Sequence, residues 1–367
     1  MSEEKNPKIK VLVVDDTSLY RKILSELLAS FPGVEVVGTA NNGKIALAKL
    51  DRLKPDILTL DFEMPEMDGL ATLRALKKEA PGVAAIMVSN HTQIGAKATL
   101  EALDLGAFDF IAKPNHDSLE KNIESLRSQL RPMILNFRNK RHIAEMLRGQ
   151  GKPAVAAPSQ DIVLRMAQLL DGGRLEIVAI GISTGGPNAL AAVLPFLPKD
   201  LGVPLVIVQH MPPVFTAALA ESLDKKCNIS VSEGKNGEVL EINRAYLAPG
   251  GKHMRLELHP ESRKPCLIMT DDPPENHCRP SVDYLFRSVA KIYEGRALGI
   301  IMTGMGSDGT LGLKAMKSAG AKTLAQDEGS CVVFGMPLEA IKAGSVDTVL
   351  PLDQIASEIV RLVKKCR

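Results

Sequence analysis

Tryptophan is absent from this 367-residue chain, and aromatic residues make up only 4% of it. Few stacking platforms are on offer to unpaired bases, which argues against binding of single-stranded nucleic acid. Cysteine is also scarce. Cys227, Cys266, Cys278, Cys331 and Cys366 include no C-x-x-C pair. Odd in number and scattered, they read as reduced thiols of the cytosol rather than as a disulfide scaffold. A zinc reading built on His277 and Cys278 lacks a second paired ligand site and is set aside. Neither sign of charge prevails. A formal net charge of +2 gives no electrostatic reason to propose a nucleic-acid or membrane partner. No apolar run reaches the ~20 residues that span a bilayer. The start, Met1-Ser-Glu-Glu-Lys-Asn-Pro, is polar and acidic, so a cytoplasmic protein without membrane insertion is expected.

What is present is the composition of a globular protein, 45% hydrophobic and 24% charged, in a chain too long for one ordinary core. The expected fold class is α/β, as two doubly wound domains. Short apolar strands at Ile9–Val14, Val34–Thr39, Ile57–Leu60, Ala84–Ser89 and Phe108–Ala112 alternate with helical stripes such as Leu19, Ile23, Leu24, Leu27 and Leu28. They predict a five-strand parallel domain over 8–127 that closes with a helix near Leu126. Basic residues from Arg131 to Lys152, followed by a Gly/Pro/Ala-rich run, predict a connector over 128–172. Solvated charge explains this stretch better than a partner-binding segment does. A larger, mostly parallel domain over 173–367 follows. Ala245–Ala248, Pro249-Gly-Gly251 and Lys252–Leu258 read as an antiparallel hairpin around a glycine turn, with Pro265–Met269 as a third strand.

The strand ends of the first domain carry chemistry. Asp15 and Asp16 end the first strand, Asp61 the third, Ser89 the fourth and Lys113 the fifth. In a parallel sheet these ends share one rim. Three carboxylates together repel unless a cation compensates, and Mg²⁺ with oxygen ligands is the natural solution. Lys113 and Ser89 would hold the oxygens of a phosphoryl group, with Asp61 as its acceptor. A solvated loop end explains one such aspartate but not five groups in this order. Val13-Val-Asp15-Asp16, Asp61-Phe-Glu-Met-Pro-Glu-Met-Asp-Gly69 and Ala112-Lys113-Pro114 resemble the receiver domain of two-component response regulators. The resemblance implies Mg²⁺ at Asp15, Asp16 and Asp61, and a switch pair of Ser89 and Phe110. It also implies phosphorylation of Asp61 by a histidine kinase and a cis bond at Pro114.

Three strands of the second domain also end in reactive groups. Leu175–Ile180 runs into Gly181-Ile-Ser183-Thr-Gly-Gly186, Pro204–Gln209 into His210, and Ala297–Thr303 into Gly304-Met-Gly-Ser-Asp308. A serine needs a base within reach and a carboxylate to orient that base, and this set supplies both. A helix opening at Gly186-Pro187 would aim free N–H groups at a developing oxyanion. Taken singly, the glycine loop could cradle phosphate, His210 could bond to backbone, and Asp308 could cap a helix before Thr310. The set favours a triad. Its order is serine, histidine, aspartate, unlike the serine, acid, histidine order of the α/β-hydrolases.

With Val208-Gln-His210-Met-Pro-Pro213, Leu247-Ala-Pro-Gly-Gly251, Arg279-Pro-Ser-Val-Asp283, Thr303-Gly-Met-Gly-Ser-Asp-Gly309 and Val333-Phe-Gly-Met-Pro337, the second domain resembles the chemotaxis protein-glutamate methylesterases. That implies Ser183 as nucleophile, His210 as base and Asp308 as its partner. Met305 would supply an oxyanion N–H and Thr184 would support the site. No cofactor is implied there. The implied substrate is methylated glutamate on chemoreceptor cytoplasmic domains, cleaved to glutamate and methanol, with deamidation of receptor glutamines beside it. A receiver on the same chain implies control by phosphorylation, the unphosphorylated receiver restricting access to the Ser183 rim. On the residues alone a binding module or a general lipase or peptidase stays open. A transcription factor is disfavoured, because no helix-turn-helix with a basic recognition helix is present.

Overall fold

A computed structural model describes residues 8–90, 92–115, 117–149 and 174–365. The chain forms two compact units, Met1–Arg138 and Asn139–Arg367. In the first, strands β1 (Ile9–Val14), β2 (Val34–Ala40), β3 (Ile57–Asp61), β4 (Ala84–Ser89) and β5 (Asp109–Ala112) alternate with helices. These are α1 (Ser18–Ala29), α2 (Gly43–Leu53), α3 (Gly69–Glu79), α4 (Gln93–Asp104) and α5 (Leu119–Gly149). The sheet is parallel in the order β2-β1-β3-β4-β5. Every residue of β3 is buried, as its unbroken apolar run demands of a strand covered on both faces.

Helix α5 runs well beyond the end expected near Leu126. Leu126, Leu130, Met133 and Ile134 recur at helical spacing, lie buried, and belong to the core of the first unit. Phe137 continues the stripe by meeting Phe108 edge-on, with ring centroids 5.8 Å apart. The basic residues between these positions had hidden the period. The remainder of the expected connector, including Lys152, lies outside the described residues. Among the described residues the cis peptide bond is Arg279–Pro280. The bond before Pro114 is therefore not cis, in line with the trans default of X–Pro bonds.

The second unit holds β6 (Ile177–Ile182), α6 (Gly186–Val193), β7 (Leu205–Gln209), α7 (Phe215–Asp224), β8 (Ser230–Glu233) and β9 (Arg244–Leu247). Then follow β10 (His253–Leu258), β11 (Pro265–Thr270), α8 (Val282–Tyr293), β12 (Ala297–Ile301) and α9 (Thr310–Ser318). The unit ends with β13 (Lys322–Gln326), α10 (Met336–Lys342), β14 (Thr348–Leu350) and α11 (Leu352–Lys365). Seven strands pair in parallel in the order β14-β13-β12-β6-β7-β9-β8.

An antiparallel pair is present, but not around the glycines. β10 pairs with β11, while β9 stays in the main sheet beside β7. The Ala248 N–H extends that pairing to Ile207 O at 2.8 Å. Gly250 serves a close approach instead of a hairpin turn. A Cβ there would fall 2.4 Å from Pro213 N, so only glycine lets the two backbones touch.

Candidate active site and phosphoacceptor site

Strand order reverses between β1 and β3 of the first sheet, where open α/β sheets leave a crevice. Asp15 and Asp16 follow β1 and Asp61 ends β3, and their carboxylates offer ligand oxygens within 4.8 Å of one another. Lys113, directly after β5, donates to Asp61 Oδ2 at 2.8 Å and lies 3.1 Å from Asp15 Oδ2. Its ammonium also sits over the Tyr20 ring, 4.7 Å from the centroid. Burial disfavours the Asp61 carboxylate and outweighs Lys113, so the acid is pushed up to about 6, with Asp15 adding to the rise. Asp15 Oδ2 is buried and, apart from the Lys113 ammonium, has no hydrogen-bond partner among the described residues. Lys113 pairs with Asp15 and Asp61, and Arg21 donates to the carbonyls of Asp15 and Asp16. This leaves carboxylate oxygens that a hard divalent cation with oxygen ligands fits. Ser89 ends β4 fully buried, accepting from Thr99 Oγ1 at 2.9 Å. Phe110 lies half-buried on the neighbouring β5.

The second sheet reverses between β6 and β12. Register there brings the expected groups to one rim. Ile182 pairs with Gln209, and the His210 N–H donates to Ile182 O at 3.1 Å, so Ser183 and His210 leave adjacent strands side by side. The Ser183 N–H donates to Thr303 O at 2.9 Å, which draws the loop after β12 to the same place. Gln209 ties the pair together. Its buried amide donates from Nε2 to Ser183 O at 2.9 Å and to His210 O at 3.1 Å. The amide lies so close to Gly186 that a Cβ there would fall 1.8 Å from Gln209 Oε1.

His210 Nε2 meets Asp308 Oδ2 at 2.7 Å. Asp308 is buried and amply satisfied. Oδ1 accepts from Ser281 Oγ at 2.8 Å, Asn276 Nδ2 at 3.0 Å and Asp283 N at 3.1 Å, while Oδ2 accepts from Val282 N at 2.7 Å. Two of these donors are the first N–H groups of α8, an anion-binding helix end. Desolvation opposes the Asp308 charge, but His210, Val282 and Asn276 overcome it and hold the acid at about 2. Desolvation likewise opposes the His210 cation, yet the Asp308 hydrogen bond, the Cys278 contact and the attraction of both carry it up to about 9. The second ring nitrogen, Nδ1, faces Cys278 Sγ at 3.6 Å.

His210 and Asp308 are thus brought together, and Ser183 stands beside them with Oγ unbonded among the described residues. Thr184 accepts at its carbonyl from Thr303 Oγ1 at 2.9 Å. Met305 is exposed on the loop after β12. Asp308 does not cap α9, whose cap position is Gly309. Sequence reasoning missed Gln209, Asn276 and Ser281, and names Cys278 only beside His277 rather than beside His210. The Arg279-Pro-Ser-Val-Asp283 motif was the available signal for Ser281, as a polar cap before an apolar helix.

Residues 11–124 match the response regulator receiver domain, and residues 178–359 match the CheB methylesterase family. Fold, site and these matches define a class: a response-regulator receiver joined to a methylesterase unit built on a mostly parallel sheet. The chain is 50% identical to a protein-glutamate methylesterase/protein-glutamine glutaminase of Desulfotalea psychrophila, over 97% of this chain and 99% of that protein. It is 43% identical to the Bacillus subtilis protein of the same name, over 98% and 99%. The crystal structure of the Thermotoga maritima CheB methylesterase catalytic domain matches with a TM-score of 0.50 at 40% identity. That match covers 52% of this chain and 99% of that one. The chain belongs to the protein-glutamate methylesterase/protein-glutamine glutaminase family. No helix among the described residues is long and apolar enough to cross a membrane.

Proposed function

We propose that the chain is a cytoplasmic enzyme that hydrolyses glutamate methyl esters on chemoreceptors, releases methanol and also deamidates receptor glutamines. One observation carries the reading. The 2.7 Å bond from His210 Nε2 to Asp308 is made by an imidazole that leaves its strand beside Ser183. That bond leaves Nδ1 to take the serine proton. Ser183 Oγ attacks the ester carbonyl, and the oxyanion forms toward the Met305 N–H, with Thr184 supporting the loop. His210 returns the proton to the departing methoxide, which leaves as methanol, then activates the water that cleaves the acyl-enzyme. Asp308 orients the ring and stabilises its cation without taking the proton. Catalytic hydrogen bonds often tighten only when substrate is bound, which accounts for the unbonded Ser183 Oγ.

In the other unit Asp61 is the phosphoacceptor, supplied by a histidine kinase. Asp15, Asp16 and Asp61 would hold Mg²⁺, which when bound neutralises charge around the incoming phosphoryl group. Lys113 contributes a further point charge, and Ser89 with Phe110 forms the switch. A phosphoryl group adds a charge of about −2 at that rim, enough to bias a two-state element. Methanol release from methylated receptor tests the reading. Ser183→Ala should abolish it while Asp61 is still phosphorylated, and turnover like that of the unaltered enzyme would end the assignment.

A further inference from the structure

This mechanism leaves Cys278 unused, although its sulfur faces the nitrogen that must collect the serine proton. We propose that Cys278 and His210 form a binding site for a thiophilic divalent cation, with Zn²⁺ as the test ion. The bound ion switches hydrolysis off by occupying Nδ1. The binding half stands on geometry. The inhibitory half rests on His210 being the base.

A tetrahedral zinc bonded to nitrogen at about 2.05 Å and to sulfur at about 2.3 Å sets those two ligand atoms about 3.6 Å apart. Cys278 Sγ and His210 Nδ1 are 3.6 Å apart. The ring also presents the right face. With Nε2 donating to Asp308, the neutral imidazole carries its lone pair on Nδ1, toward the sulfur. Asp308 then serves as the carboxylate partner that metal-bound histidines usually have. Ligand atoms of His210, Cys278 and Asp308 all lie within 4.8 Å of one another.

The thiol is held in place by a tight turn. Cys278 N donates to Glu275 O at 2.9 Å and Glu275 N to Cys278 O at 3.1 Å. The two residues between them, Asn276 and His277, have φ of 53° and 63°, the positive values a two-residue type I′ turn requires. Asn276 Nδ2 fastens the turn to Asp283 and Asp308 at 3.0 Å each, and Glu275 pairs with Arg287 on α8. A ligand ordered before the ion arrives loses little freedom on binding. His277, adjacent in sequence, is exposed and plays no part.

Two protein ligands leave coordination positions for water, so the site suits an exchangeable regulatory ion rather than a structural one. Binding releases to solvent the thiol proton and, where the ring is cationic, the Nδ1 proton as well, so affinity falls as pH is lowered. Imidazole and thiolate favour Zn²⁺ over Mg²⁺, whereas the oxygen cluster at Asp15, Asp16 and Asp61 favours Mg²⁺.

The experiment uses the full chain in excess Mg²⁺, which keeps the oxygen cluster filled. Co²⁺ reports binding through its thiolate charge-transfer absorption, independently of activity, and Zn²⁺ reports inhibition of methanol release. We expect a Co²⁺ band that Zn²⁺ displaces, and inhibition that a chelator reverses. Cys278→Ser should abolish the band and raise the half-inhibiting Zn²⁺ concentration at least about tenfold, with Cys278→Ala behaving alike. No band at saturating Co²⁺, a band that survives both substitutions, or unchanged Zn²⁺ sensitivity overturns the site. A normal band without inhibition overturns the inhibitory half and counts against His210 as the base, leaving the binding site standing.

Discussion

Burial disfavours the His210 cation, but the Asp308 and Cys278 contacts outweigh it and carry the ring up to about 9. In the proposed mechanism the working base is the neutral ring, so the sign follows directly. The ring is protonated below about pH 9, so kcat/KM should fall about tenfold for each pH unit below that value and stay level above it. Cys278→Ser removes one of the raising contacts and should move this limb to lower pH. A pH–rate profile whose limb sits at the ordinary 6.5 would contradict the coupling. Asp61 offers a second titration. Its carboxyl is pushed up to about 6 by burial, and a divalent cation beside it favours the charged form. Carboxyl-carbon NMR should show the pKa near 6 without Mg²⁺ and clearly lower with it. An unchanged value would place the ion elsewhere.

At the scale of elements, the start of α6 and the end of β7 are packed through one glycine. Gly186→Ala would drive a methyl into the Gln209 amide, 1.8 Å from Oε1 and 2.7 Å from Cδ. Overpacking of this kind costs about 1–3 kcal/mol. The expected outcome is a sharp loss of ester hydrolysis with Asp61 phosphorylation retained, measured on one preparation. Equal activity would show that the amide clamp does not set the distance between nucleophile and base. Much of the architecture is legible without coordinates, because strands covered on both faces are apolar runs and their last residues announce the rim. β3, β6 and β7 are of this kind, and Asp61, Ser183 and His210 stand at their ends. Glycine misled where it served contact instead of turning, as at Gly250. The support of Asp308 was invisible for another reason. Asn276 is 32 positions away from it, and Cys278 is 68 from His210. Only the folded turn at 275–278 brings them in, and no local period marks such a meeting.

For the whole molecule, the two compact units imply that acyl chemistry and its control can be separated. A chain lacking residues 1–150 should hydrolyse ester at a raised basal rate and ignore phosphodonor. Unchanged or lower activity in a well-folded fragment would count against restraint by the receiver. Each sheet reverses its winding once beside its reactive groups, between β1 and β3 and between β6 and β12. At such a seam the flanking loops splay apart, with Asp61 on the last rung of its strand and Ser183 and His210 just past theirs. Longevity of the fold and speed of the reaction are therefore written in different stretches of polymer. Strand interiors can be redesigned for heat tolerance, Gln209 excepted because its amide holds Ser183 and His210, and seam loops for new substrates.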